Sequence, residues 1–233
     1  MVCFNKKPFS LAIFSIVLFL FSGSLVAYAE PYIEINIPSR QLFFKDKQEI
    51  LKKYTIAVGR SREMMTPIGD YKILSKEFNP GWIHPETNKK VLPGKNNPLG
   101  TRLIVFHRVG DIALGIHGTN EPSSIGKFVS HGFIRLNNKD IEELYNLVQA
   151  GTEVKIRYER LSWLMQDNAL YLTIQPDPYE SRSLTKDLVI ALTKLKYKDA
   201  TLNPDSIEKL LVNSSSASAS FKAVNGLIGY MHK

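Results

Sequence analysis

Ile116-His117-Gly118-Thr119-Asn120, then Ser123-Ser124-Ile125-Gly126, then Ser130-His131-Gly132-Phe133-Ile134-Arg135-Leu136-Asn137, is the stretch on which the fold and the chemistry of this chain turn. His117 closes an apolar run, Ile112 to Ile116, and enters a glycine-containing turn. His131 lies in a second short extended segment with Gly132 beside it. Histidines at strand ends next to glycines sit where the backbone of a substrate can approach closely. Read as one extended segment, side chains alternate, so His131, Phe133 and Arg135 share a face and Ser130 points away from it. A guanidinium on that face can fork a carboxylate.

Outward from this stretch the periodicity changes. Ile141, Leu144, Tyr145 and Val148 recur at helical spacing after Asn137 or Asn138 as N-cap, and Gly151 suits the position that ends the helix. Val154, Ile156 and Tyr158 then alternate with Lys155 and Arg157 as a closing strand. Upstream, Ile33, Ile35 and Ile37 alternate with Glu34 and Asn36, Pro38-Ser39-Arg40 reads as a turn, and Leu42 to Lys45, Tyr54 to Val58, Tyr71 to Leu74 and Leu103 to Phe106 read as further strands. Residues 79–100, rich in Pro, Gly and Asn, form a long loop of the kind that rims a site, in which Trp82 pins the loop to the core. Beyond Arg160, Leu170 to Ile174 reads as a strand, Leu184 to Leu195 and Pro204 to Leu211 as helices, and 213–220 as a Ser-rich flexible joint. The expected architecture is mainly β or α+β: a mixed β-structure with one packed helix over 31–158, and a helical C-terminal extension over 159–233.

Composition narrows the chemistry. With 44% hydrophobic residues the chain of 233 can bury one sizeable core, which excludes wholesale disorder. One cysteine, Cys3, excludes a disulfide framework and a cysteine-based metal site. His84, His107, His117 and His131 have no metal-ligand spacing, so no metal or other cofactor is expected. Lys6 and Lys7, the apolar run Leu11 to Phe21 and Ala27-Tyr28-Ala29 make residues 1–29 a signal peptide. Its removal takes Cys3 with it and lowers the formal charge from +8 to +6. The chain is therefore expected to be exported to the periplasm or cell envelope of a bacterium, touching membrane only through the signal peptide. Arg and Lys are scattered singly, which argues against nucleic acid as a partner.

Taken together, the blocks HGTN, SIG and SHGxIRLxN, the helix and GTxVxI, with Thr66-Pro67-Ile68-Gly69 and Asn97-Pro98-Leu99-Gly100 upstream, resemble the L,D-transpeptidase (YkuD-type) catalytic domain over about residues 31–158. The resemblance implies an acyl transferase of peptidoglycan cross-linking and cell-wall remodelling, with a role in cell shape. A cysteine thiolate attacks the carbonyl of the third residue of a tetrapeptide stem and expels the terminal D-alanine; the acyl group then passes to an amine on a second stem or on a wall-anchored lipoprotein. It makes His117 the base, gives His131 a part in shaping the catalytic site, and assigns Ser130, Gly132 and Arg135 to substrate, with backbone N–H groups around Gly132 as oxyanion donors.

The departure is at the nucleophile. The family pattern is Ser-His-Gly-Cys; this chain has Ser-His-Gly-Phe, and Phe133 has no ionisable or nucleophilic atom. Cys and Phe codons differ by one base, so an otherwise intact motif is compatible with a single replacement. Two readings follow: a transpeptidase-family protein whose covalent route is closed, or a non-catalytic peptidoglycan-binding or regulatory module.

Overall fold

The computed structural model describes residues 30–84, 87–110, 112–166, 169–181, 183–200, 202–214 and 226–230. The expected signal peptide, and all but the first two residues of the expected joint at 213–220, lie outside the described residues.

Strand β1 (Tyr32–Asn36) buries Ile33 and Ile35 and leaves the residues between them half-buried, as the alternation predicts. The chain turns at Arg40 and returns as β2 (Gln41–Asp46) and β3 (Glu49–Thr55). β3 starts earlier than the expected Tyr54 strand, because it is a sheet edge exposed at every residue but Tyr54 and carries no apolar alternation. Short strands follow: β4 (Val58–Gly59), β5 (Gly69–Lys72), β6 (Ser75–Phe78), β7 (Trp82–Ile83) and β8 (Lys90–Val91). The last two pair as a small hairpin inside the long loop. Buried Asn97 ties that loop down: its Nδ2 donates to Pro80 O at 2.8 Å and its Oδ1 accepts from Leu99 N at 2.9 Å. Trp82 packs against Leu99, Leu103 and Val105.

β9 (Arg102–Val109) and β10 (Ile112–His117) form an antiparallel hairpin, followed by β11 (Phe128–Ser130), β12 (Ile134–Arg135), helix α1 (Asn138–Leu147) and β13 (Glu153–Arg157). Two sheets result, ordered β3-β2-β1-β13-β5 and β12-β10-β9-β6, and within them only β1/β13 and β10/β12 run parallel. A single apolar cluster joins Ile33, Ile35, Leu42 and Ile156 of the first sheet to Ile104, Ile116 and Ile134 of the second and to Ile141 and Leu144 of α1. Each such fully buried aliphatic side chain contributes about 1.5–3 kcal/mol relative to exposure.

Glu143 of α1 accepts from Tyr54 Oη at 2.9 Å and pairs with Lys52 at 2.5 Å, which ties the helix to β3. Burial, reinforced by this carboxylate, pushes the Tyr54 hydroxyl pKa up. α1 ends at Leu147, so Gly151 falls in the turn beyond rather than closing the helix as expected. The Lys76 ammonium takes that part, donating to the carbonyls of Tyr145 and Val148 at 2.5 Å each.

The C-terminal extension is not only helical. It holds β14 (Leu161–Gln166), β15 (Ala169–Ile174), helices α2 (Lys186–Lys196) and α3 (Pro204–Ser214), and β16 (Gly226–Tyr230), with the strands paired β14-β15-β16. β14 escaped the sequence reading because four of its six residues are exposed. Leu172, Val189, Ile207 and Leu210 form the core of this unit.

Candidate active site

His117 is the last residue of β10, held on both sides by the backbone. Its carbonyl accepts from Leu136 N at 2.9 Å, and the next amide, Gly118 N, donates to Arg102 O at 3.1 Å. A register shift between Leu114 and Gly115, within β10, bends the strand just before it. The imidazole is buried, and its Nδ1 lies 2.5 Å from Gly118 O. A carbonyl oxygen only accepts, so the neutral ring carries its proton on Nδ1 and leaves Nε2 as a lone-pair base. Burial pulls the pKa down to about 4; the nearby Arg135 charge adds to that and the Gly118 hydrogen bond opposes it. His117 is therefore uncharged at neutral pH.

That shift has a sign for stability. An unfolded histidine takes a proton near pH 6.5, so between about 6.5 and 4 the unfolded chain binds more protons and acid destabilises the fold by about 3 kcal/mol from this residue. Denaturant midpoints measured from pH 7.5 to 4.5 are expected to fall, and to fall less steeply in His117→Gln. Parallel curves for the two proteins would remove His117 as the source.

Facing His117 is Phe133, with ring centroids 5.5 Å apart and planes at 73°, an edge-to-face contact. The backbone that presents Phe133 is a turn, not an extended strand. Ser130 Oγ donates to Phe133 O at 2.5 Å and accepts from Gly132 N at 3.2 Å, closing residues 130–133 on themselves. Gly132 has φ 98°, and a Cβ there would stand 3.0 Å from Met65 O. Both the left-handed conformation and the close approach require glycine.

This geometry corrects the expectation of one extended segment. Alternation breaks at Gly132, so His131 is exposed while Phe133 is half-buried against His117, and the two do not share a face. Ser130 is buried, and its hydroxyl braces the turn. The Gly132 N–H, expected as an oxyanion donor, is engaged by Ser130 Oγ. Arg135 is half-buried beside His117 across the parallel β10/β12 pair, and its Nη1 lies 3.4 Å from the exposed carboxylate of Glu121. That surface pairing is weak enough for another carboxylate to replace it.

One residue of the site did more than the sequence suggested. Asn138 was a candidate N-cap; Asn137 caps α1, and the Asn138 side chain reaches instead into the His117 loop. Its Oδ1 accepts from Thr101 N at 3.2 Å and Thr119 N at 3.1 Å, and its Nδ2 donates to Thr119 O at 3.0 Å. The final Asn of SHGxIRLxN was the available signal. Among the described residues no group of His, Cys, Asp or Glu is placed to hold a metal ion.

Comparison with known proteins places the chain in a family. The Bacillus subtilis (strain 168) proteins YqjB and YkuD, whose names place them provisionally among the L,D-transpeptidases, are 33% and 36% identical over 138 and 130 residues. Those matches cover 58% and 55% of this chain and 75% and 68% of the relatives. The crystal structure of an L,D-transpeptidase from Mycobacterium tuberculosis H37Rv matches 55% of this chain and 57% of its own, at 21% identity and a TM-score of 0.43. The model of the L,D-transpeptidase catalytic domain, YkuD, matches residues 30–156, which contain both sheets, α1, His117 and the 130–133 turn. The chain belongs to the YkuD family of L,D-transpeptidase catalytic domains.

Proposed function

We propose that this exported protein binds peptidoglycan stem peptides in the cell envelope at the His117–Phe133 site, and that it does not carry the acyl group on a residue of its own. L,D-transpeptidases act on such stems. The observation that carries the reading is the Phe133 ring standing edge-on to the neutral His117 imidazole, where a thiol would have to give up its proton. A phenyl ring offers no electron pair for the stem carbonyl, so no thioester forms and D-alanine is not displaced. Arg135 supplies the group for a stem carboxylate, trading it for Glu121.

Mass spectrometry and calorimetry on the protein with disaccharide-tetrapeptide test both halves. The expected result is stoichiometric binding with no D-alanine released and no cross-linked dimer. Arg135→Ala is expected to weaken binding about tenfold, the value of one charge-assisted hydrogen bond. Release of D-alanine would overturn the non-covalent reading; absence of binding would overturn the site.

A further inference from the structure

A side chain of the extension beyond residue 158 reaches back into the catalytic domain. Tyr179 is fully buried and belongs to the main apolar cluster, not to that of its own unit. Its ring stacks on Tyr158 at 5.4 Å, and its backbone N–H donates to Tyr158 Oη at 3.1 Å. Its hydroxyl accepts from Thr66 N at 3.0 Å and donates to Gly59 O at 3.1 Å, while Gly59 N donates to Thr66 Oγ1 at 3.0 Å. Residues 59–66 are thereby drawn into a closed loop around the phenol. Gly59 permits the approach: a Cβ there would lie 2.7 Å from the Tyr179 hydroxyl and 2.2 Å from Met64 O.

The same loop backs the site. Gly59 of β4 is paired with Ser130 of β11, Arg60 N donates to Ser130 O at 3.0 Å, and Met65 O stands against Gly132. The path from the Tyr179 hydroxyl through Gly59 ends on the turn that presents position 133. We propose that Tyr179 is a positioning residue: through the 59–66 loop the C-terminal unit holds the 130–133 turn in the conformation the site requires. This rests on reading the His117 and 130–133 region as the stem-peptide site.

Tyr179→Phe removes the hydroxyl and keeps the ring. In the full chain with Phe133 unchanged, amide hydrogen exchange is expected to accelerate about tenfold or more in both 59–66 and 130–133, with β1 and β13 unaffected. Acceleration confined to 59–66 overturns the proposal, and so does an equal rise in β1 and β13, which marks general loosening. The second arm compares Phe133→Cys with Phe133→Cys/Tyr179→Phe, well below both melting temperatures, for acylation by a carbapenem. A rate about tenfold lower in the double variant supports positioning, and an equal rate overturns it. If Phe133→Cys itself takes up no carbapenem, the site has changed at more than one residue; absence of stem-peptide binding is what sinks the stem-peptide reading, and the exchange arm alone then decides Tyr179.

Discussion

Phe133→Cys protein freed of residues 1–29, and so of Cys3, is expected to gain one covalent carbapenem per chain, visible as a mass increase equal to the intact drug, while the same chain with Phe133 gains none. The thiol gives its proton to His117 Nε2, the sulfur adds to the β-lactam carbonyl, the ring C–N bond breaks, and the proton ends on the departing nitrogen. Everything but the sulfur is already in place: the neutral base, its tautomer set by Gly118 O, and the turn that aims position 133 at it. The rate over the parent is expected to rise by on the order of a thousandfold or more, since loss of a nucleophile typically costs that much. Its pH dependence carries the second half of the prediction. Because burial holds His117 down to about 4, the imidazole stays neutral above pH 5 and the rate should climb with thiol ionisation alone. A rate already flat from pH 5 upward would mean a preformed thiolate–imidazolium pair and contradict that environment. A folded variant with no adduct would show that the site has changed at more than one residue.

The largest loss of stability is expected at Arg160. Its Nη1 pairs with Asp177 Oδ2 at 3.1 Å, with side chains only 7% and 15% exposed, and its Nε donates to Gln175 O at 3.0 Å. Asp177 also accepts from Tyr158 Oη and, at 3.0 Å, from Ser181 N. Burial and the Asp177 carboxylate push the Tyr158 hydroxyl pKa up. Arg160→Met removes the cation and leaves the carboxylate buried beside its remaining partners, an expected loss of about 3–5 kcal/mol in urea unfolding. Arg160→Met/Asp177→Leu is expected to recover much of this, because no orphaned charge remains. A single-variant loss under about 1 kcal/mol would show that water reaches the pair and screens it.

What could be read from the sequence followed burial. β1 and α1 each present a buried stripe whose apolar periodicity located them, and β9 and β10 were located by short continuous apolar runs. β3 and β14 face solvent, so their residues answer to hydrogen bonding along a sheet edge, which leaves no periodic trace. At the site, the motif brought out His117 and position 133, and the structure sets them in contact. The face expected to be shared by His131 and Phe133 is lost because strict alternation does not carry through a glycine at φ 98°, where the chain reverses. Tyr179 had no local signal at all. Its partners, Gly59 and Thr66, lie more than a hundred residues earlier, and only tertiary packing joins them.

The parallel pairing of β1 with β13 has a consequence in time. Ile33 lies beside Val154 and Ile35 beside Ile156, so the first strand of the domain is flanked by the last. As the chain emerges from its N-terminus, β1, β2 and β3 can close as a meander while one side of β1 stays open for most of the length of the domain. Pairings this distant in sequence close slowly, because the entropy of the intervening loop is lost before the contact returns anything. The Ile33 and Ile35 side chains, buried in the finished protein, stay partly uncovered until β13 arrives, and over that interval the chain is most open to pairing with a second copy of itself.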